Sequence, residues 1–327
     1  MNTRLFLAFL SIFFTGCNPA TENTTVNSFR KCTSTPSGSD DSMNTNIYKT
    51  GRGALLGTRI ASFEALKTII QIEYENGSIT ADSTAPENSW VRVHHCSDGR
   101  EVLSVLEKGT MEGDLMKAKD AILPRFAVLF GSPYAVTHRR DLEKIFVLSR
   151  YKADLFGFDD LAFFDIAKAL VKNINTPDLA FKNTRDSTEK GYLNTFNHIT
   201  AQALITSCFS EELADFVADM HERDRHPELI TGRFTPAQMA DLENGPVDNY
   251  VDIVNNEWGQ EIGKQLKVKY GIKRATNWTP ELLANYLNDM QAYYIGAFQI
   301  GFKPFRAEDK VVRLFANKIN TLMSYEL

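Results

Sequence analysis

The chain is poor in the features that announce a chemistry. Its 327 residues hold four cysteines, six histidines and three tryptophans. It contains no G-x-S-x-G, no P-loop and no G-x-G-x-x-G, which excludes the nucleophile elbow, the phosphate cradle and the dinucleotide fingerprint. No dense Lys/Arg block occurs, and 36 basic against 41 acidic residues give a net charge of -5. Nucleic acid is therefore excluded as the main partner. No stretch has 18 consecutive apolar residues, so no ordinary transmembrane helix is expected. What is present is ordinary: 43% hydrophobic and 24% charged residues, enough for a real core. At roughly 150 residues per domain the length suits about two domains.

Residues 1–17 read MNTRLFLAFLSIFFTGC. Arg4 supplies a positive start and Leu5 to Phe14 a nearly unbroken apolar run. At ~1.5 Å per residue that run covers half a bilayer core, the length of a secretory signal. Thr15 and Gly16 then precede Cys17. The segment resembles the bacterial lipoprotein signal, in which the cysteine becomes the lipidated first residue, although Phe14 replaces the usual Leu. Asn18 stands where an Asp marks inner-membrane retention. The resemblance therefore implies a lipid anchor at Cys17 in the outer membrane, facing the periplasm or the cell surface.

Asn18 to Tyr48 is dominated by Asn, Thr and Ser and has no hydrophobic period, so it reads as a tether. An exported chain meets an oxidising compartment, and one disulfide is expected. Cys208 lies in the apolar ALITSCF and reads as a buried thiol, which leaves Cys32–Cys96 as the preferred pair. His94-His95-Cys96 invites a metal reading. Alternation of Val91, Val93 and His95 instead suggests a strand that sends neighbours to opposite faces.

Helical periodicity dominates the rest. Helices are expected at 61–72, 102–106 and 114–129, with a strand at 90–95 between the first two. From 141 the chain reads as successive helices: 141–151, 159–174, 190–208, 210–224, 246–269, 279–300 and 306–325. Ser210 and Thr279-Pro280 look like N-terminal caps and Gly271 like a stop. The expected fold is mainly α: a signal peptide (1–16), a lipidated Cys and tether (17–48), a smaller mixed or helical N-terminal portion (49–131) and an all-α domain (132–327).

Three histidines fall between 198 and 226. Asn194, His198 and Gln202 form an i, i+4, i+8 stripe, which reads either as a solvent face or as an internal site. His221 continues the apolar stripe of Leu213 and Val217, with Glu222 beside it. His221-Glu222 and His226 form HExxxH, one residue longer than the zincin motif. At ~100° per residue those two histidines diverge by ~140° and do not share a metal. Asp252, Asn256, Gly259 and Gly263 lie on one face of 246–269. Two glycines there predict close approach of another helix.

The segments Asn194-Thr195-Phe196-Asn197-His198, His221-Glu222 and Val251 to Gly259 (VDIVNNEWG) carry a further resemblance. Residues 175–266 resemble an uncharacterised bacterial helical domain with the signature [DN]-A-F-R-H, H-E and M-D-x-x-N-N-x-x-G-R. That domain also occurs in wall-associated and polymorphic-toxin-like proteins. Asn197 and Gln260 replace its two arginines. The resemblance implies a helical fold and no established reaction.

His198, His221, Glu222, Asp252 and Asn256 are the candidate catalytic residues. His198, His221 and Asp252 are the candidate ligands of a divalent metal, with a second carboxylate acting on bound water. Without metal, Glu222 suits a general acid. The expectation is an envelope lipoprotein with a hydrolase-like helical domain acting on an envelope polymer or lipid, peptidoglycan foremost. The alternative is a non-catalytic lipoprotein that binds or braces the envelope, the same residues forming a buried network.

Overall fold

A computed structural model describes residues 52–77, 89–120 and 131–324. The signal segment, the tether, Cys17 and Cys32 lie outside the described residues. The fold is mainly α. Helices of nine or more residues are α1 (Glu112–Asp120), α2 (Arg139–Leu148), α3 (Phe163–Lys172), α4 (Asn194–Cys208), α5 (Glu211–Arg223), α6 (Pro246–Lys269), α7 (Pro280–Phe298) and α8 (Lys310–Ser324). Short helical turns link them. Among the described residues no helix is long and apolar enough to cross a membrane.

The seven helices expected after 141 are all present, with ends set by local chemistry. Ser210 and Thr279 accept hydrogen bonds from the backbone of Leu213 and Leu282, each at 3.2 Å, capping α5 and α7. Gly271 takes a left-handed conformation just past α6.

The N-terminal portion is mixed, with the expected strand at 90–95 present as part of Trp90–Ser97, but two expected helices are not there. The expected helix 61–72 is a single turn, Phe63–Leu66, followed by strand β1 (Ile70–Tyr74). The expected helix 102–106 is strand β3 (Arg100–Glu107), paired antiparallel with β2 (Trp90–Ser97) in the order β1-β2-β3. In β3, Val102, Ser104 and Leu106 are buried, while Leu103 and Val105 face out. Apolar side chains on both faces blur the period of two into a run that reads as helical. The expected helix 114–129 is α1 as far as Asp120; the remainder lies outside the described residues.

Helix α6 joins two cores. Tyr250, Val254 and Trp258 pack with Phe63 and with Val91, Val93 and Leu106 of the sheet, while Ile262 and Leu266 enter a larger helical core with Phe196, Tyr286 and Phe315. A helix buried on nearly all sides must bury polar faces too. The side of α6 that meets α4 is the one with the two glycines. A Cβ at Gly259 would lie 2.6 Å from the Ile199 carbonyl oxygen, and one at Gly263 2.6 Å from that of Ala203. The expected close approach is therefore present, and it brings the polar stripes of both helices face to face.

Candidate functional site

Two turns and one turn before Gly259, α6 presents Asp252 and Asn256 to Asn194 and His198 of α4. The Asn194 amide donates to Asp252 Oδ1 at 2.8 Å. His198 Nδ1 and Asn256 Oδ1 are 3.0 Å apart, and His198 Nε2 stands 3.3 Å from Asp252 Oδ2. Glu222 enters from α5, where Asn256 Nδ2 donates to its Oε1 at 3.1 Å. One ligand atom from each of His198, Glu222 and Asp252 lies within 4.8 Å of the other two. The stripe on α4 is thus an internal site, not a solvent face: the side chains of Glu222 and Asp252 are 2% and 1% exposed, that of His198 10%.

Burial shapes the charges. It pulls the His198 imidazole down to about 4, with the Glu222 charge opposing the shift. It also lifts Asp252 well above the carboxylate range, helped by the charges of Asp248 and Glu222. The hydrogen bonds do not saturate the cluster: Glu222 Oε2 and Asp252 Oδ2 are buried without a hydrogen-bond partner.

Four of the five candidate residues converge: His198, Glu222, Asp252 and Asn256. His221 sits at the edge. Its side chain is 40% exposed, its Nδ1 meets Glu112 of α1 at 3.2 Å, and its ring lies 6.1 Å from that of His198. Of the expected ligand candidates His198, His221 and Asp252, the first and last lie together with Glu222, and His221 lies at the edge. Neighbours on a helix are turned ~100° apart, so Glu222 and His221 cannot both face α6. The His221 contact pulls the Glu112 carboxyl down to about 2, with Arg150 contributing.

His226 and His221 do serve separate partners, as the HExxxH spacing required. His226 is buried against Glu228 at 2.7 Å. Tyr250 donates to the same Glu228 oxygen at 2.6 Å and meets the Tyr74 hydroxyl at 2.8 Å, a polar chain from α6 to the sheet. Sequence reasoning missed this chain, because its members are scattered from 74 to 250. It also missed Glu112 and the Lys190–Asp248 ion pair of 2.6 Å. Asn194 was visible in the stripe but carried no assigned role.

In the strand, His94 and His95 separate as expected. His94 Nε2 lies 3.0 Å from Glu101 Oε2, while His95 Nδ1 accepts from Trp258 Nε1 at 2.9 Å. His94, Cys96 and Glu101 also bring ligand atoms within 4.8 Å of one another. Cys208 is a buried free thiol, as expected.

No family model, no curated protein and no solved structure matches the chain. The resemblance of residues 175–266 therefore rests on its short motifs.

Proposed function

We propose that this is a lipid-anchored protein of the bacterial cell envelope whose helical domain is hydrolase-like and acts on an envelope polymer, peptidoglycan foremost. The observation that supports it is the convergence of His198, Glu222, Asp252 and Asn256 with two carboxylate oxygens unpartnered. Hydrolysis adds water across a bond, so it needs one group to take a proton from water and another to protonate the leaving atom. An imidazole and two carboxylates within 4.8 Å supply those group types. Unsatisfied buried carboxylate oxygens cost stability, which is the kind of cost a working site carries. The polymer is chosen from the signal at residues 1–17, because an anchored exported protein meets it.

The mutual hydrogen bonds favour a second reading, an envelope-binding protein braced by a buried network. Glu222→Gln separates the two. Purified full-length protein is incubated with peptidoglycan sacculi, and released fragments are measured beside the thermal midpoint. Under the hydrolase reading the variant releases no fragments and keeps its midpoint. Under the brace reading wild type releases none either, and the variant loses about 1–3 kcal/mol of stability.

A further inference from the structure

The network around His198 leaves three acceptors over, and Asn256 decides which. Its amide nitrogen donates to Glu222 Oε1, so its Oδ1 is the atom that faces His198 Nδ1. An amide oxygen only accepts. This assigns the ring proton to Nδ1 and leaves Nε2 with a lone pair. That lone pair faces Asp252 Oδ2 at 3.3 Å. The other oxygen of Asp252 is occupied by the Asn194 amide, and Oδ2 has no donor. Glu222 repeats the arrangement, with Oε1 taken by Asn256 and Oε2 buried without a donor. Each of the three groups thus has one atom held by an asparagine and one atom to spare.

Three such atoms that receive no donor from a neighbouring side chain are costly to bury together, a cost that burial relieves in part by favouring the protonated form of Asp252. A positive charge shared among them removes that cost. We propose that His198, Glu222 and Asp252 bind one divalent first-row cation, of which Zn2+ is the reference member, with an open position on the His221 side. Zinc bonds of ~2.1 Å in tetrahedral geometry place ligand atoms ~3.4 Å apart. The Nε2 to Oδ2 distance is 3.3 Å, Glu222 Oε1 stands 3.9 Å from Nδ1, and one ligand atom from each of the three residues lies within 4.8 Å of the others. Binding would release the proton that burial favours on Asp252, and a neutral imidazole with two ionised carboxylates then carries a charge of -2, which matches the cation. Asn256 then fills the supporting role common at metal-bound histidines, a carbonyl that accepts the other ring N–H. Asn194 orients Asp252 in the same way. One nitrogen and so few oxygens suit zinc or manganese better than calcium, which takes 6–8 oxygens. The ligands stand on three helices, of which α4 and α6 are pressed together at Gly259 and Gly263, so the site is rigid.

This inference deepens the hydrolase reading, because a cation with an open position activates water, but its test does not depend on cleavage. Full-length protein in detergent is treated with chelator, dialysed and titrated with Zn2+ by calorimetry and with Co2+ by visible absorption. One equivalent of Zn2+ should bind and raise the thermal midpoint, and Co2+ should give ligand-field bands that Zn2+ abolishes. Glu222→Gln and Asp252→Asn should each weaken Zn2+ at least tenfold, and Glu101→Gln on the sheet should not. Wild type that binds no stoichiometric Zn2+ and gives no Co2+ bands overturns the proposal, whether or not the variants fold. So does binding that survives both site substitutions, or that is lost in Glu101→Gln. A protein that binds Zn2+ at this site and leaves sacculi intact keeps the metal site and sinks the hydrolase reading. Cleavage that persists after chelation does the reverse.

Discussion

His95 shows how a single buried group makes stability depend on pH. Its ring accepts a hydrogen bond from Trp258, and burial pulls it down to about 4. In the unfolded chain its value is 6.5, so between the two values the unfolded state holds more protons. Stability from this group is therefore complete above pH 6.5 and is lost as pH falls towards 4, by about 3 kcal/mol in all. His95→Gln should flatten that slope relative to wild type. Urea unfolding at pH 7 and pH 4.5 checks it; equal slopes for the two proteins would show that His95 does not titrate as described. Lys318 illustrates the opposite solution to burial. Its side chain is 2% exposed, yet the ammonium donates to Asp160 at 3.0 Å and to the carbonyls of Arg150 and Leu161. Every proton has an acceptor, as a buried charge requires.

Among the elements, the contact between α4 and α6 is the one on which the site depends. Gly259→Ala and Gly263→Ala would each gain ~1 kcal/mol of helix propensity. Each Cβ would, however, press within 2.6 Å of a backbone carbonyl on α4. Overpacking against backbone costs about 1–3 kcal/mol, and it outweighs the gain because a carbonyl within a helix cannot swing aside. Both variants should unfold at lower urea concentration than wild type. A midpoint equal to or above wild type would show that the helices are not in such contact.

The same pair of helices shows what was legible beforehand. The 3.6-residue period exposed both stripes, and the glycines marked the face where they meet. The caps placed the helix ends. Glu222 and His221 were read as one unit because they adjoin in the chain, but a helix turns adjacent residues apart. Glu112 could not be anticipated, since nothing local ties residue 112 to residue 221. The strands were misread where Leu103 and Val105 hid the alternation of β3, and where the helical spacing of Phe63, Leu66 and Ile69 masked the alternation of Ile70, Ile72 and Tyr74 in β1.

At the scale of the whole molecule, attachment to the membrane would run through Cys17. Cys17→Ser should leave a soluble or unprocessed precursor, seen as a shift in membrane fractionation and in mass. If the variant is processed and fractionates like wild type, the lipid anchor is wrong. The proposed Cys32–Cys96 bond would close a loop of about 65 residues, worth roughly 4 kcal/mol in the chain-entropy account. Non-reducing peptide mapping should recover the two cysteines in one linked fragment, and recovering both as free thiols, or either joined to Cys208, refutes the pairing.

The way the N-terminal stretch meets α6 bears on such an attachment. Leu55 is gripped by Asn255, whose Oδ1 accepts from its N–H and whose amide donates to its carbonyl, both at 2.9 Å. Thr195 of α4 reaches the same carbonyl at 3.3 Å. Three residues on, Thr58 is tied to Asp186 at 2.5 Å. Asn255 directly precedes Asn256, and Thr195 directly follows Asn194. Tension on the chain ahead of residue 52 would therefore pass through Ala54, a member of the helical core, and the clasp at Leu55 to the two helices at the turn that holds the His198 cluster.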